Sequence, residues 1–168
     1  MTVLNHALGG SSSSRLFREL RDEKGYAYNA QSLVSAYRFP GFWRLRAGVR
    51  TDATAESITL MLAQLKRICD EPMPAEELGE SQSAVVGRFA LNLEQPQQVM
   101  SLSYLRQRYG FSADYWERYP AKLMAVTAGE IQAVAQKYLR PERAHIIAVG
   151  DASKIRGALA KLGPVEAS

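Results

Sequence analysis

Residues 8–28 read LGGSSSSRLFRELRDEKGYAY, and more of the architecture follows from this segment than from any other. Its first part, 8–14, is rich in glycine and serine, which have little surface to bury and a permissive backbone, so we predict a mobile loop there. From about residue 14 to residue 24 apolar side chains recur at helical spacing. Gly25 then supplies the left-handed residue that commonly ends a helix, and a strand that opens on aromatic residues follows.

This order of residues resembles the glycine-rich loop, helix and strand of the insulinase/pitrilysin-type zinc metallopeptidases. The likeness is to the non-catalytic half found in mitochondrial processing peptidases and their bacterial relatives. The pattern there reads roughly N-x-x-L-G-G-x-x-S-S-R-L-F-x-x-L-R-x-x-x-G-x-A-Y. The positions that fit it are Asn5, Leu8, Gly9, Gly10, Ser13, Ser14, Arg15, Leu16, Phe17, Leu20, Arg21, Gly25, Ala27 and Tyr28.

Downstream of this segment, residues 27–38 have strand character and Phe39-Pro40-Gly41 breaks the run. Residues 42–50 then alternate between an apolar face that includes Trp43 and a basic face. This alternation predicts an antiparallel hairpin with one buried and one basic side.

The rest of the chain is mostly helical by its periodicity. We predict helices over residues 54–70, 74–93, 96–109, 113–125, 127–139 and 151–162, and a short buried strand from Ala144 to Val149. Thr127 and Glu130 have the spacing of a capping box. Together these elements predict an α+β fold, a mostly antiparallel sheet packed against several helices, in one half-domain over residues 1–168.

The N-terminus, Met1–Leu8, reads as the tail of a helix whose first turns are absent. In the family that the chain resembles, each half-domain opens with an upstream strand and the beginning of this helix. We therefore expect an N-terminally truncated half-domain with an exposed sheet edge, which favours a homodimer or strand addition by a partner.

Composition is that of an ordinary globular protein, with 46% hydrophobic and 23% charged residues. The formal net charge of +4 is mild, and one basic patch would account for it. No apolar run is long enough to cross a bilayer and no signal segment is evident, so no membrane span is predicted. The bacterial periplasm and cytoplasm are both compatible with this composition.

The histidine count bears directly on catalysis. The catalytic halves of the family carry H-x-x-E-H on a helix, whereas this chain has only His6 and His145, in different predicted elements. We expect no metal site and no catalytic residue in this chain, which alone would be inactive. Zinc is expected in a partner catalytic half, on the same polypeptide or on a separate subunit.

Arg21 and Tyr28 are the sharpest candidates for substrate contact. The resemblance implies that this arginine–tyrosine pair faces the zinc site of the other half across a cleft. A guanidinium and a phenol can both donate hydrogen bonds to a peptide carbonyl or to a developing oxyanion. The loop residues Gly9, Gly10 and Ser11 are expected to contact the peptide substrate as well.

Three interpretations are open for the basic face of the hairpin, which consists of Arg44, Arg46 and Arg50, with Arg38 as a further candidate. The first is an ordinary solvated surface, and the second is a positive wall of a peptidase chamber that attracts acidic or extended peptides. The third, a single-stranded nucleic-acid binding module, is the weakest because Trp43 is on the opposite, apolar face.

These observations favour a substrate-binding, chamber-closing half-domain of a zinc-dependent peptidase, in which proteolysis is carried out by the other half. The alternative is a scaffold subunit resembling the core proteins of the respiratory cytochrome complex. The presence of both Arg21 and Tyr28 favours the peptidase, because a pure scaffold does not need them.

Overall fold

The computed structural model describes residues 1–35 and 41–166. Helix α1 consists of an α-helical turn, Thr2–Asn5, and a π-helical turn, His6–Gly10. Helix α2 likewise joins Arg15–Phe17 to a wider π-helical turn, Arg18–Glu23. The predicted left-handed stop is confirmed, because Gly25 has a φ of 61°.

The Gly/Ser-rich loop is shorter than predicted over 8–14. Leu8 is fully buried in the core, and the π-helical turn carries α1 through both glycines, although Gly9 itself leaves helical backbone angles. Only residues 11–14 lie between the helices, and the Ser14 hydroxyl donates a 2.6 Å hydrogen bond to the Ser11 carbonyl. Helix α1 extends further than its composition predicts because Gly9, near its end, packs closely against Ser32 of β1.

Strands β1, Ala27–Ser35, and β2, Phe42–Val49, form a two-stranded antiparallel sheet, as predicted. Burial alternates along β2, with arginines on the exposed face and Trp43 on the half-buried face toward the core. The predicted strand residues 36–38 and the turn at Phe39-Pro40 lie outside the described residues.

The remaining helices are α3 (Thr54–Asp70), α4 (Ala75–Asn92), α5 (Pro96–Tyr109), α6 (Tyr119–Met124), α7 (Ala128–Tyr138) and α8 (Ala152–Leu159). Short 3-10 turns occur at Thr51–Ala53 and Pro141–Arg143. The capping box predicted at the start of α7 is confirmed, with both reciprocal hydrogen bonds present. Among the described helices, none is long and apolar enough to span a membrane.

Helix α6 begins six residues later than predicted, because residues 113–118 form turns. The aromatic side chains of residues 111–116 pack against one another instead of forming the apolar face of a helix. Phe111 stacks on Tyr115 with ring centroids 4.1 Å apart, and the Trp116 indole donates a hydrogen bond to the Leu102 carbonyl.

The prediction of a short buried strand from Ala144 to Val149 is wrong. This segment has no regular secondary structure, and the side chains of Ile147 and Val149 are 89% and 97% exposed. A strand requires a hydrogen-bonding partner, and in the described part of the chain the only sheet is β1 with β2. Apolar composition alone therefore did not bury it.

The core lies where α1 and α2 meet the hairpin, α3 and α7. Its fully buried leucines come from the two short N-terminal helices, and Cys69 of α3 is buried at the same cluster. The central members are Leu4, Leu8, Leu16, Leu20, Ile68, Ile131 and Ala135. The segment that carries the glycines and serines is thus anchored on both sides by core residues.

Candidate functional site

A β-bulge sets the orientation of Tyr28. Ala27 pairs with Val49 and Asn29 pairs with Gly48, so Tyr28 is an extra residue in β1 without a cross-strand partner. Both Tyr28 and Asn29 consequently face solvent, and the Tyr28 side chain is 81% exposed. The Asn29 side-chain oxygen accepts a 3.2 Å hydrogen bond from the Gly48 amide, which compensates for the interrupted strand pairing.

Arg21, on the last turn of α2, lies beside this tyrosine. Its guanidinium carbon is 5.3 Å from the centroid of the Tyr28 ring and 4.7 Å from that of Phe17. Such stacking orients a guanidinium through its face and leaves the edge donors free. Within residues 1–35 and 41–166, no ion pair or hydrogen bond engages the side chain of Arg21, which is exposed to solvent.

Gly9 lies directly against β1, whereas Gly10 lies against Asn5 of α1 itself. A Cβ placed on Gly9 would lie 2.4 Å from the backbone nitrogen of Ser32, and one on Gly10 would lie 3.1 Å from the Asn5 carbonyl oxygen. The φ of Gly9, −166°, is open to any residue, so the requirement for glycine is steric. Only a residue without a side chain lets the end of α1 reach the strand.

A short hydrogen-bond chain fixes this contact. The Trp43 indole donates to the Ser32 hydroxyl at 2.7 Å, and that hydroxyl donates to the Asn5 side-chain oxygen at 2.8 Å. It links β2, β1 and α1 through side chains that are partly buried. The hairpin and the glycines are therefore held in one fixed arrangement.

A groove of about 440 Å³ lies between the end of α1, the serine loop and the exposed face of the hairpin. The predicted substrate-contact residues Gly9, Gly10 and Ser11 line it together with Arg44 and Arg46 of the predicted basic wall. Phe17 and Asn29 also line the groove, and they connect it to Arg21 and Tyr28. The groove thus brings together five residues that the sequence suggested, whereas Arg21 and Tyr28 lie outside its lining, with Arg21 packed against Phe17.

Arg50 does not belong to this groove. Its guanidinium pairs with Asp52, with two nitrogen–oxygen distances of 3.2 Å, and lies 5.8 Å from the centroid of the Tyr26 ring. Arg50 follows the end of β2, opposite the groove end of that strand. Arg38, the further candidate for the basic wall, is outside the described residues.

Arg88 of α4 is a groove residue that the sequence gave no reason to select. It is four helical turns into α4 and far in sequence from both the loop and the hairpin, so only the tertiary packing of α4 against α1 brings it there. Its charge also reaches His6 of α1. Burial lowers the pKa of His6, and the nearby positive charge of Arg88 lowers it further.

Neither histidine lies in a metal-binding arrangement. His6 is buried in α1, whereas His145 is exposed in the irregular segment after the second 3-10 turn. In the described ranges, no three histidine, cysteine or acidic side chains are grouped so that they could hold a metal ion. The residues present do not fit a zinc site of the peptidase kind.

Geometry and fold together define an α+β domain with a two-stranded antiparallel sheet, and comparison with known proteins identifies its family. The family described as the peptidase M16 inactive domain matches residues 1–85. The chain is 30% identical over 170 residues to an uncharacterized zinc protease of Streptomyces coelicolor, a match covering 95% of this chain and 36% of that protein. It is 36% identical over 104 residues to the uncharacterized zinc protease YmxG of Bacillus subtilis, covering 60% of this chain and 25% of that protein.

A solved structure supports the fold. The peptidase M16 inactive domain from Pseudomonas fluorescens superposes with a TM-score of 0.77 at 17% identity, covering 84% of this chain and 34% of that one. The chain belongs to the M16 inactive-domain family, and the predicted resemblance to the insulinase-like zinc metallopeptidases is confirmed. It spans between 25% and 36% of the length of the two zinc-protease relatives.

Proposed function

We propose that this domain binds peptide substrate and closes the reaction chamber of a zinc-dependent peptidase whose catalytic half lies elsewhere. The observation that carries the proposal is the Arg21–Tyr28 pair. The bulge at Tyr28 turns the phenol into solvent, and Arg21 is stacked against it with its donors unengaged. An exposed donor pair on rigid elements suits recognition of a carbonyl brought by a partner.

The groove supports the same role. It continues from Phe17 beneath Arg21 to the two glycines and Ser11, and glycine lets a peptide backbone approach closely. In this proposal the chain grips and orients the peptide, and the zinc-activated water that attacks the scissile carbonyl belongs to the other half. The chain itself supplies hydrogen-bond donors and excludes water from one side of the substrate.

The test is a complementation assay. A separately expressed half carrying the H-x-x-E-H motif of the same enzyme is assayed on a fluorogenic peptide with and without this chain. We expect chelator-sensitive cleavage only when both are present, with zinc bound to the other half after dialysis. Full activity of the catalytic half alone would contradict the substrate-binding role and favour a scaffold. Stoichiometric zinc on this chain would contradict its non-catalytic assignment.

A further inference from the structure

We propose that the groove contains a subsite for a carboxylate of the bound peptide, formed by Arg44, Arg46 and Arg88. This inference rests on the proposed function and names a substrate class for it, peptides with an acidic residue. The three arginines come from two separate elements, β2 and α4, and all three line the groove.

The charge balance of the groove carries the argument. Its lining includes these three arginines and no aspartate or glutamate, while its remaining polar groups are neutral serine, asparagine and glutamine side chains. Within the described part of the chain, none of the three arginines forms an ion pair or a hydrogen bond. Some exposed cations elsewhere on this surface, namely Lys66, Arg67 and Arg118, instead have a carboxylate partner one helical turn away.

Position on the strands places two of the arginines, Arg44 and Arg46, next to each other. Arg44 is opposite Leu33 and Arg46 is opposite Gln31, so their side chains leave the same exposed face two residues apart. The Arg44 guanidinium lies 5.5 Å from the centroid of the Phe42 ring, which orients it while leaving its edge available. Arg88 approaches from the α4 side of the groove.

A guanidinium group matches a carboxylate, which accepts paired hydrogen bonds from its fork of donors. An acidic side chain and a peptide C-terminus offer the same chemistry. The groove has the size of a site for a few residues, so either carboxylate could enter while the peptide backbone passes the glycines.

Direct binding to the full 168-residue chain tests the inference without any catalytic step. The probe is a fluorescent ten-residue peptide, acetylated and amidated, with two glutamates, measured by anisotropy against the same peptide with glutamines. We expect the glutamate peptide to bind about tenfold more tightly at low salt, with the difference shrinking at high salt. A glutamine peptide with a free C-terminus shows whether a terminal carboxylate suffices.

Variants identify the subsite. Arg46→Gln and Arg88→Gln should each remove most of the preference for glutamate, whereas Arg156→Gln, an exposed change of equal charge on α8, should leave it intact. Equal affinity for all three peptides, the two blocked ones and the one with a free C-terminus, would overturn the inference. So would a single-stranded oligonucleotide that binds more tightly than the glutamate peptide and depends on the same arginines. Either result would leave the complementation assay free to succeed, so the two proposals fail separately.

Discussion

Gly9 lies directly against the backbone of Ser32, so closely that a Cβ on Gly9 would be 2.4 Å from the Ser32 nitrogen. This contact joins the end of α1 to β1 and forms one wall of the groove. Because the obstruction is backbone rather than a flexible side chain, a larger residue can be accommodated only by displacing the helix from the strand.

We therefore expect Gly9→Ala to lower the free energy of unfolding by about 1–3 kcal/mol, the usual cost of overpacking. The control is Gly87→Ala on α4, where an added Cβ meets nothing within 4 Å. That variant should be neutral or gain up to about 1 kcal/mol from helix propensity. Urea denaturation of both variants makes the comparison, and equal stabilities would contradict the close contact.

The ion pair between Arg15 and Glu77 should stabilise the folded chain far more than the exposed ion pairs do. Arg15 is only 7% exposed and forms two hydrogen bonds to the Glu77 carboxylate, of 2.7 and 2.6 Å. Glu77→Gln leaves a buried guanidinium without its counter-charge and should lower the free energy of unfolding by about 3 kcal/mol. This value is at the lower end for a buried ion pair because Glu77 is 25% exposed.

The matched control for this pair is Glu71→Gln, which removes the exposed partner of Arg67 on α3. It should cost no more than about 0.5 kcal/mol, as exposed helix pairs do. Thermal or urea unfolding monitored by circular dichroism measures both. A loss at Glu77 no greater than that at Glu71 would mean that the buried pair contributes nothing special to the fold.

The pKa of His6 in the folded chain should be lower than that of an ordinary histidine. Burial, and then the charge of Arg88, lower its pKa, whereas in the unfolded chain it should be near the usual value of about 6.5. Between these two values the unfolded chain binds more protons, so stability should fall as pH decreases from about 6.5 toward the pKa of the folded state.

NMR titration can measure this because the chain has only two histidines. Arg88→Gln should raise the pKa of His6, since it removes the repelling charge. Folded-state titration of His6 at or above about 6.5, or no response to Arg88→Gln, would be inconsistent with the burial of His6 beside Arg88.

Local patterns predicted the elements whose signals are local. The alternation on β2, the capping box at Thr127 and the left-handed stop at Gly25 all depend on residues within a few positions, and all are confirmed. The segment from Ala144 to Val149 was predicted wrongly because strand formation depends on a partner that composition does not reveal.

The same distinction applies to the site. Arg21 and Tyr28 were identified through the resemblance, and nothing in the sequence indicated the bulge that exposes the phenol. The sequence could not predict the groove position of Arg88 or the ion pair between Arg15 and Glu77. Both depend on contacts between elements far apart in the chain; Arg15 and Glu77 are 62 residues apart. Tertiary packing supplies that information.

The proposed role of this chain depends most directly on kcat/KM of the catalytic half assayed together with this chain carrying Tyr28→Phe or Arg21→Lys. If both side chains donate hydrogen bonds to the reacting carbonyl, Tyr28→Phe should lower kcat/KM about tenfold to a thousandfold, with folding and zinc content unchanged. Arg21→Lys should also be impaired, because an ammonium lacks the planar fork. Tyr138→Phe and Arg156→Lys, exposed and outside the groove, serve as controls and should match the wild type. Wild-type kinetics for both Tyr28→Phe and Arg21→Lys would contradict the substrate-binding role and make a scaffold the better account.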